Sequence, residues 1–564
     1  MIGHPWNRVE GPLKVSGRAT YTYDEWSLGQ PLYGFIVEAT IGRGRIAKLD
    51  TSRAARAQGV RAVITHREAP RQFPPDPSVS LYSRALPMLT GPEIDYFAQP
   101  IALVVADTFE QARHAATLVD ATYEPLKGNF DFWASGQEAY APENIRGWFP
   151  TDSLVGDFDA AFAAAPVRID ETYTTPYEMS VPMEPHCCLA AWTGDAVTVY
   201  VATQIVAEAK LRIASTFGLA PEQVHVIARY VGGGFGSKLG VHAETILAVM
   251  AARQVRQPVK VAATRQQTFH LAGHRPASRQ RMRLGADRDG RLLAFGHDTT
   301  QKASHVSTYI EQIATSGRGL YAAPNRRSTH RAIALDLPGA EDVRAPGEAP
   351  ALLAIEAAMD ELACALDMDP VELRILNEPT THPERGVPYS DRHLVECMRE
   401  GAKRFGWERR PRTPASVRDG RWLIGYGMAA AIRPQFQSTT TVNVRLEPDG
   451  SVVVRSDMTD IGTGTYTILT QVASETFGIP LDRVRVELGD SRHPVSGGSG
   501  ASWGATNSCT ALARACEALR DKVLASVTEA ERSSSLTELA SKFAAGVEAN
   551  GSIANMNEEP TFAG

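Results

Sequence analysis

The segment AKLRIASTFGLAPEQVHVIARYVGGGFG, residues 209–236, predicts a helix, a turn, a strand and then a glycine loop. A second segment, LTQVASETFGIPLDRVRVELGDSRHPVSGGSG at 469–500, predicts the same elements in the same order. In the first segment Phe217 of a Thr-Phe-Gly triplet lies seven residues before Val224, and the second segment repeats this spacing. The shared pattern favours the duplication of one domain, whose two glycine loops could face a single ligand.

Length and composition describe a globular protein of two or three domains, because 564 residues exceed one hydrophobic core. The net charge of −6 gives no electrostatic reason to expect a nucleic-acid partner. No apolar run approaches the roughly 18 residues that span a bilayer, and residues 1–17 lack the apolar core of a secretory signal. We therefore expect no membrane span and a cytoplasmic protein, or a periplasmic one if a partner subunit carries the export signal.

The predicted elements divide the chain into three domains and a linker. Strand and helix patterns assign 1–125 to a small α+β domain, and a loop-like linker follows at 126–160. A second domain is predicted at 161–410 and a third at 411–564. Two alternating strands around the turn residues of 448–450 predict a hairpin at the start of the third domain.

The first domain is predicted from a few short patterns. Apolar strand-type runs occur at 32–40, 60–65 and 101–106. Helix-favouring residues separate the first two runs, and apolar residues at helical spacing predict a helix over 108–123.

The stretch VGGGFGSKLG at 231–240 is not a nucleotide P-loop. A P-loop needs glycine before its lysine and a hydroxyl after it, whereas Ser237 precedes Lys238 and Leu239 follows it. The dinucleotide-binding fingerprint also fails, because its third glycine is out of place. Glycines allow the main chain to approach a ligand closely. A tight connection to a helix predicted at 241–255 is the alternative explanation.

Three further loops strengthen the ligand hypothesis. Small residues and hydroxyls precede predicted helices in DIGTGTYT (460–467) and in GGSGASWGATNS (497–508), and Arg344 lies beside a Pro-Gly turn at another helix start. Helix N-termini favour anionic and carbonyl groups. Four such loops together indicate one large ligand that is bound by the backbone at several points.

These motifs resemble those of the molybdenum-binding subunit of the xanthine dehydrogenase/aldehyde oxidase family. The resemblance rests on short motifs that occur in order along the chain: ATQ (202–204), GGGFGSK (232–238), RAPGEAP (344–350), DIGTGT (460–465) and GSGASWGA (498–505). MEPHCCLAAW (183–192) resembles the family's Glu-Pro-His stretch, and GPLKVSGRATYTYDE (11–25) resembles the start of its hammerhead domain. The bacterial three-subunit aldehyde oxidoreductase is the most similar type.

The resemblance implies an α+β fold. An N-terminal α/β hammerhead domain would be followed by two related mixed α/β molybdopterin-binding domains, of which the second is incomplete. The iron–sulfur clusters and FAD of the family would lie on partner subunits, because the six cysteines of this chain contain no CxxC pair.

The resemblance also implies which residues contact the cofactor, Mo-molybdopterin cytosine dinucleotide. The pterin would hold the molybdenum, without a direct protein ligand. The implied cofactor contacts are Gln204, Gly234, Phe235, Gly236, Arg344, Ile461, Gly462, Thr463, Gly464, Ser502, Gly504 and Ala505. Leu239 would line the substrate pocket. Arg433 lies in an apolar stretch and either faces this pocket or is a surface arginine at the end of a strand.

The implied reaction is the oxidation of an aldehyde to a carboxylate, with water as oxygen donor and with electrons passing to the iron–sulfur and flavin subunits. Purine-oxidising members carry a glutamate where this chain has Leu239, so an aldehyde is favoured over a purine. The alternatives are an N-heterocycle hydroxylase, a carbon monoxide dehydrogenase-like subunit and a truncated, non-catalytic binding paralogue.

The family's general base is a glutamate in a GxGE-type motif near the C-terminus, and the sequence contains no equivalent. Glu348 belongs to RAPGE, and Glu548 is a poor match. The catalytic residue is therefore left unassigned, and we expect the missing part to reflect truncation or a separate chain. Glu184 and His186 are interpreted as buried structural residues.

Overall fold

A computed structural model describes residues 1–74, 86–134, 136, 138–146 and 149–554. Within these ranges no helix is both long enough and apolar enough to cross a membrane.

In the described part of the first 125 residues, which leaves out 75–85, the chain forms short helices and six strands. In chain order they are α1 (Gly11–Val15), β1 (Leu32–Glu38), β2 (Gly44–Asp50), α2 (Ser52–Ala55), β3 (Val60–Thr65), β4 (Glu93–Ile94), β5 (Pro100–Ala106), α3 (Phe109–Ala116) and β6 (Asp120–Pro125). The helix predicted over 108–123 therefore ends at Ala116. The residues after it pair with β2 as strand β6, because tertiary pairing overrides their helical spacing.

The middle of the chain alternates strands and helices. Its elements are β7 (Ser153–Val155), α4 (Phe158–Ala164), β8 (Val167–Thr175), β9 (Glu178–Met179), β10 (Cys187–Thr193), β11 (Ala196–Val201), α5 (Val206–Phe217), β12 (Val224–Ile227), α6 (Ala243–Val255), β13 (Val259–Ala262), α7 (Arg265–Leu271), β14 (His274–Arg275), β15 (Ser278–Ala286), β16 (Leu292–Ser304), β17 (Asn325–Leu335), α8 (Glu348–Ala365), α9 (Pro370–Leu376) and α10 (Leu394–Phe405).

The last part of the chain contains the predicted hairpin. Its elements are β18 (Val417–Asp419), β19 (Trp422–Ile424), β20 (Thr440–Leu446), β21 (Val452–Arg455), α11 (Thr465–Phe477), β22 (Val484–Glu487), α12 (Gly504–Ala525), α13 (Leu536–Ala540) and β23 (Val547–Ile553). Gly450 in the β20–β21 turn has a φ of 79°, which explains the glycine at this position.

A seven-stranded sheet connects the first domain to the second. Its strand order is β12-β11-β10-β13-β1-β5-β3, and β1 pairs in parallel with β13. The sheet therefore crosses the domain boundary that the sequence predicts near residue 125. A separate five-stranded sheet, β7-β17-β16-β15-β8, packs against α8.

The sheet topology shows the structural similarity of the two segments that the repeated sequence pattern predicts. Strands β12-β11-β10-β13 and β22-β21-β20-β23 have the same order and the same relative directions. In each repeat a helix, α5 or α11, ends at a glycine in the left-handed conformation, Gly218 (φ 65°) or Gly478 (φ 67°). The mixed α/β architecture expected from the sequence is therefore present.

The two repeats contact each other where their third strands end. The Ala228 N–H donates to the carbonyl of Gly489 at 2.6 Å, and the Ser491 N–H donates to the carbonyl of Val226 at 2.9 Å. His225 Nε2 lies 2.8 Å from Asp490 Oδ1. These bonds place the glycine-rich segments that follow the two strands side by side.

Candidate functional site

Four loops, each directly preceding a helix, form the candidate site. We call them loop 1 (231–240, before α6), loop 2 (344–350, at the start of α8), loop 3 (460–465, before α11) and loop 4 (497–505, before α12). All four carry residues with positive φ, which is rare for residues other than glycine. The non-glycine cases in these loops are Phe235, Ala345, Ala501 and Ser502. Such backbone conformations concentrate at ligand sites.

Loop 1 needs glycine because other atoms approach its backbone closely. A Cβ at Gly234 would lie 2.3 Å from Gln204 Oε1. At Gly236 it would lie 2.3 Å from the carbonyl oxygen of Asp342, and the φ of this glycine is 100°. The ring of Phe235 is 45% exposed, so the loop presents an aromatic face beside its bare backbone.

Gln204 connects loop 1 to loop 4. Its side-chain Oε1 accepts a hydrogen bond from the Gly236 N–H at 2.9 Å, and its Nε2 donates to the carbonyl of Ser499 at 2.6 Å. Its own carbonyl accepts from the Ser499 N–H and from Thr459 Oγ1, at 2.9 and 2.7 Å. Because Ser499 and Thr459 belong to the second repeat, one buried glutamine connects both halves of the molecule.

Loop 2 is fixed against loop 1 by its backbone. The Arg344 N–H donates to the carbonyl of Phe235 at 2.8 Å, and the Arg344 side chain is exposed. Buried Arg275 supports the loop from behind, since its Nη2 donates to the carbonyls of Val343 and Arg344, both at 2.6 Å.

Buried Glu311 completes this support. Its Oε1 accepts from the Gly347 N–H at 2.7 Å and from Arg275 Nε at 3.2 Å. Burial raises the pKa of Glu311 to about 7, although the nearby Arg275 opposes this shift. The Arg275–Glu311 pair is absent from the sequence-based prediction, because no local pattern marks it.

Loop 3 contacts loop 1 through Asp460, the first residue of the DIGTGT motif. The Val231 N–H donates to the Asp460 carbonyl at 3.2 Å. The carboxylate of Asp460, which is fully buried, accepts from the Gly462 N–H at 2.7 Å and so shapes the loop. Together with Thr459 and Gln204, these bonds make the four loops one continuous group.

Loop 4 and Leu239 form a small apolar cluster between the repeats. Leu239, Ile205 and Trp503 are buried together, and the Trp503 Nε1–H donates to the carbonyl of Gly497 at 3.0 Å. Phe436 packs against the same cluster. Leu239 therefore presents only hydrocarbon at the junction of loops 1 and 4.

Glu184 and Lys238 form a buried ion pair under loop 1. Lys238 Nζ lies 2.9 Å from Glu184 Oε2, which also accepts from the Gly232 N–H at 2.8 Å. Burial lowers the pKa of Lys238, and the adjacent Glu184 counteracts this effect. His186 is buried and bonded to the carbonyl of Ser237, so the interpretation of Glu184 and His186 as structural residues agrees with their contacts.

Arg433 pairs with Glu348, the first residue of α8, by a direct hydrogen bond. Its side chain is 28% exposed, so it is neither a free surface arginine nor a fully buried one. Burial raises the pKa of Glu348, and the guanidinium opposes the shift. The pair places Arg433 at the rim of loop 2.

The structure gives the fourteen predicted site residues different degrees of exposure. Gln204, Gly234, Leu239 and Gly464 are buried. The partly buried members are Gly236, Ile461, Gly504 and Arg433, and the exposed members are Phe235, Arg344, Gly462, Thr463, Ser502 and Ala505. Ser499, Thr459 and Asp460 were missed as site residues, because their role depends on contacts between the repeats.

The chemistry of this group suits a long polar ligand with anionic parts. Among the described residues, the amide N–H groups of Gly233, Gly234 and Phe235 have no hydrogen-bond partner, and the same holds for those of Thr463 and Gly464. The amides of Thr463 and Gly464 lie at the N-terminus of α11, where phosphate and carbonyl oxygens are favoured, and the three successive amides of loop 1 can donate to the same groups. A molybdopterin cofactor carries carbonyl and phosphate groups of this kind, so the loops fit it.

Three domains of known protein families match nearly all of the chain. Residues 16–127 match the aldehyde oxidase and xanthine dehydrogenase a/b hammerhead domain. Residues 138–378 and 400–559 match two molybdopterin cofactor-binding domains.

Curated relatives support this assignment. The chain is 43% identical over 530 residues to the aldehyde oxidoreductase molybdenum-binding subunit PaoC of Escherichia coli (strain K12), covering 93% of this chain and 71% of the relative. It is 28% identical over 545 residues to the xanthine dehydrogenase molybdenum-binding subunit of Escherichia coli O157:H7. This match covers 92% of this chain and 72% of the relative.

The fold matches a solved structure over almost its whole length. The aldehyde oxidoreductase of Desulfovibrio gigas superposes with a TM-score of 0.81 at 22% sequence identity, covering 98% of this chain and 63% of that structure. At this identity the match supports the fold alone.

A hammerhead domain followed by two related cofactor-binding repeats defines the molybdenum hydroxylase class of enzymes. Within that class the chain belongs to the aldehyde oxidase and xanthine dehydrogenase family. The recognition made from the sequence motifs is therefore confirmed.

Proposed function

We propose that this chain is the molybdenum-binding subunit of an aldehyde oxidoreductase that oxidises aldehydes to carboxylates with water as oxygen donor. The observation that carries the proposal is that four side-chain-poor loops form one hydrogen-bonded group at the junction of two repeats. Gln204 bonds to loop 1, to loop 4 and to Thr459 beside loop 3, and loops 2 and 3 bond to loop 1. The 43% identity to PaoC, whose name states aldehyde oxidoreductase activity, supports the substrate class.

We assign the ends of the cofactor to different loops. Gln204, Gly234, Phe235 and Gly236 would surround the metal end, with Arg344 beside them. Loops 3 and 4, through the predicted residues at 461–464 and 502–505, would bind the pterin and its nucleotide tail, which we propose to be cytosine dinucleotide. When bound, the cofactor supplies the oxygen transfer and the two-electron oxidation. The chain itself orients the cofactor and the substrate.

The substrate preference follows from the apolar surroundings of Leu239. A purine presents ring nitrogens and carbonyls that need hydrogen-bond partners, and leaving them unpaired in a pocket is costly. Leu239, packed with Ile205 and Trp503, offers none. Arg433 is proposed as a pocket residue whose charge is balanced by Glu348.

Electrons would leave through partner subunits that carry iron–sulfur clusters and FAD. Both curated relatives are named as subunits, which supports a multi-subunit enzyme. Within the described residues no cluster of three or more histidine, cysteine or acidic side chains suits a metal ion.

The proposal is tested by co-expressing the chain with the products of adjoining genes and assaying the complex with a dye acceptor. We expect kcat/KM for benzaldehyde to exceed that for hypoxanthine by at least about 100-fold, the order by which an apolar pocket discriminates against a ligand with additional polar groups. Heat-inactivated complex serves as the control. Faster turnover of hypoxanthine or of an N-heterocycle than of any aldehyde would contradict the proposed substrate class.

A further inference from the structure

The first fifteen residues precede all three matched domains, since the hammerhead match begins at residue 16. They nevertheless contact the second repeat, more than 400 residues away in the sequence. The Val9 N–H donates to Thr467 Oγ1 at 3.0 Å, and Thr467 Oγ1 donates to Glu10 Oε2 at 3.0 Å. We call residues 8–14 the strap.

Arg8 of the strap lies directly on loop 3. Its Nη1 donates to the carbonyl of Gly462 at 2.8 Å. A Cβ at Gly464 would lie 2.9 Å from the same nitrogen, so the guanidinium covers the loop where it lacks side chains. The Arg8 side chain is 49% exposed.

A buried charge cluster anchors the strap. Lys14 Nζ lies 3.5 Å from Glu10 Oε1 and 3.7 Å from Asp460 Oδ1, and both carboxylates are almost completely buried. Arg8 Nη1 is 3.6 Å from Glu10 Oε1. The two cations therefore neutralise two carboxylates that would otherwise repel each other at short range.

Loop 3 needs contacts from other segments because its two glycines have no side chains that could hold its backbone in place. Gly462 and Gly464 have φ values of 102° and 89°, and a glycine chain loses much conformational freedom when it is ordered. The Asp460 carboxylate accepts a hydrogen bond from the Gly462 N–H, and Arg8 donates one to the Gly462 carbonyl. Both peptide groups flanking the loop's first glycine are thus fixed.

We infer that Arg8, Glu10 and Lys14 are positioning residues that hold loop 3 in its ligand-binding conformation. The strap, which precedes the matched hammerhead region at 16–127, would thereby support the cofactor site although it contains none of the cofactor motifs. This inference rests on the proposed function, because it assigns the nucleotide-bearing cofactor to loop 3.

The test compares Arg8→Ala and Arg8→Lys with Arg18→Ala as a matched control. Arg18 is exposed, and among the described residues its side chain bonds only to Ser16. Two rates are measured. The hydrogen-exchange rate of the amides at 462–466 is measured in the cofactor-free protein, and the rate of cytidine nucleotide release is measured in the cofactor-bound protein. In Arg8→Ala we expect both to rise about tenfold, as for the loss of one charge-assisted hydrogen bond. Arg8→Lys should recover part of the effect, and Arg18→Ala should match the parent protein.

Unchanged exchange at 462–466 in Arg8→Ala would overturn the inference. Faster exchange with unchanged nucleotide retention would also overturn it, because loop 3 would then be held by the strap without binding the cofactor. A parent protein that carries no cytidine nucleotide at all would instead contradict the proposed function, while the exchange measurement would still test the strap. A global melting temperature measured on each variant separates local loosening from unfolding.

Discussion

Replacing Gly236 with valine should remove most of the bound cofactor. The φ of 100° is unfavourable for a β-branched residue, and a Cβ would lie 2.3 Å from the carbonyl oxygen of Asp342. Strain and overpacking together should lower the free energy of unfolding by about 3 kcal/mol or more. Molybdenum content per chain, measured by mass spectrometry, should fall at least about tenfold, since loop 1 cannot keep its hydrogen bond to Gln204.

Gly425→Val provides the matched control. Gly425 has no positive φ, and no atom lies within 4 Å of the place its Cβ would take. The same substitution there should leave both stability and molybdenum content near those of the parent protein. Full molybdenum content in Gly236→Val would show that loop 1 does not contact the cofactor.

Replacing Gln204 with alanine should weaken the contact between loops 1 and 4, while the main-chain bonds of residue 204 to the second repeat remain. The substitution leaves the Gly236 N–H and the Ser499 carbonyl without partners, in a place where the glutamine is 3% exposed. Each unsatisfied buried group costs about 1–3 kcal/mol. We expect a lower denaturation midpoint and a cofactor content reduced about tenfold or more.

Two further variants make this result specific. Gln204→Glu keeps an acceptor for the Gly236 N–H but has no donor for the Ser499 carbonyl. Its cofactor content should therefore fall about as far as that of the alanine variant. Gln223→Ala removes a partly exposed glutamine that donates to the Asp195 carbonyl at 3.1 Å, and it should leave cofactor content unchanged. Parent-like cofactor content in both Gln204 variants would contradict the role of this residue.

Local patterns predicted much of the architecture. The spacing from Phe217 to Val224 recurs in the second repeat because helix length, left-handed cap and strand start are local features. The four strands of each repeat also have the same order. The glycine loops were recognised for the same reason, since each directly precedes a helix. The site residues chosen from these loops remain predictions that the experiments above test.

Long-range pairing was not predictable from local patterns. The strap contacts loop 3 across more than 400 residues, and β1 joins the sheet of the second domain through β13. Buried charged pairs such as Lys238 with Glu184 leave no periodic signal. Strand β6 was misassigned as helix because its pairing with β2 outweighs its spacing of apolar residues.

The most direct test of the account is to measure molybdenum and released cytidine nucleotide in the same sample of purified, folded chain. The hydrogen-bonded group that the four loops form at the junction of the repeats predicts about one molybdenum atom and about one cytidine nucleotide per chain after mild acid treatment. A folded chain with neither, purified from cells that supply the cofactor to another molybdenum enzyme, would contradict the central claim.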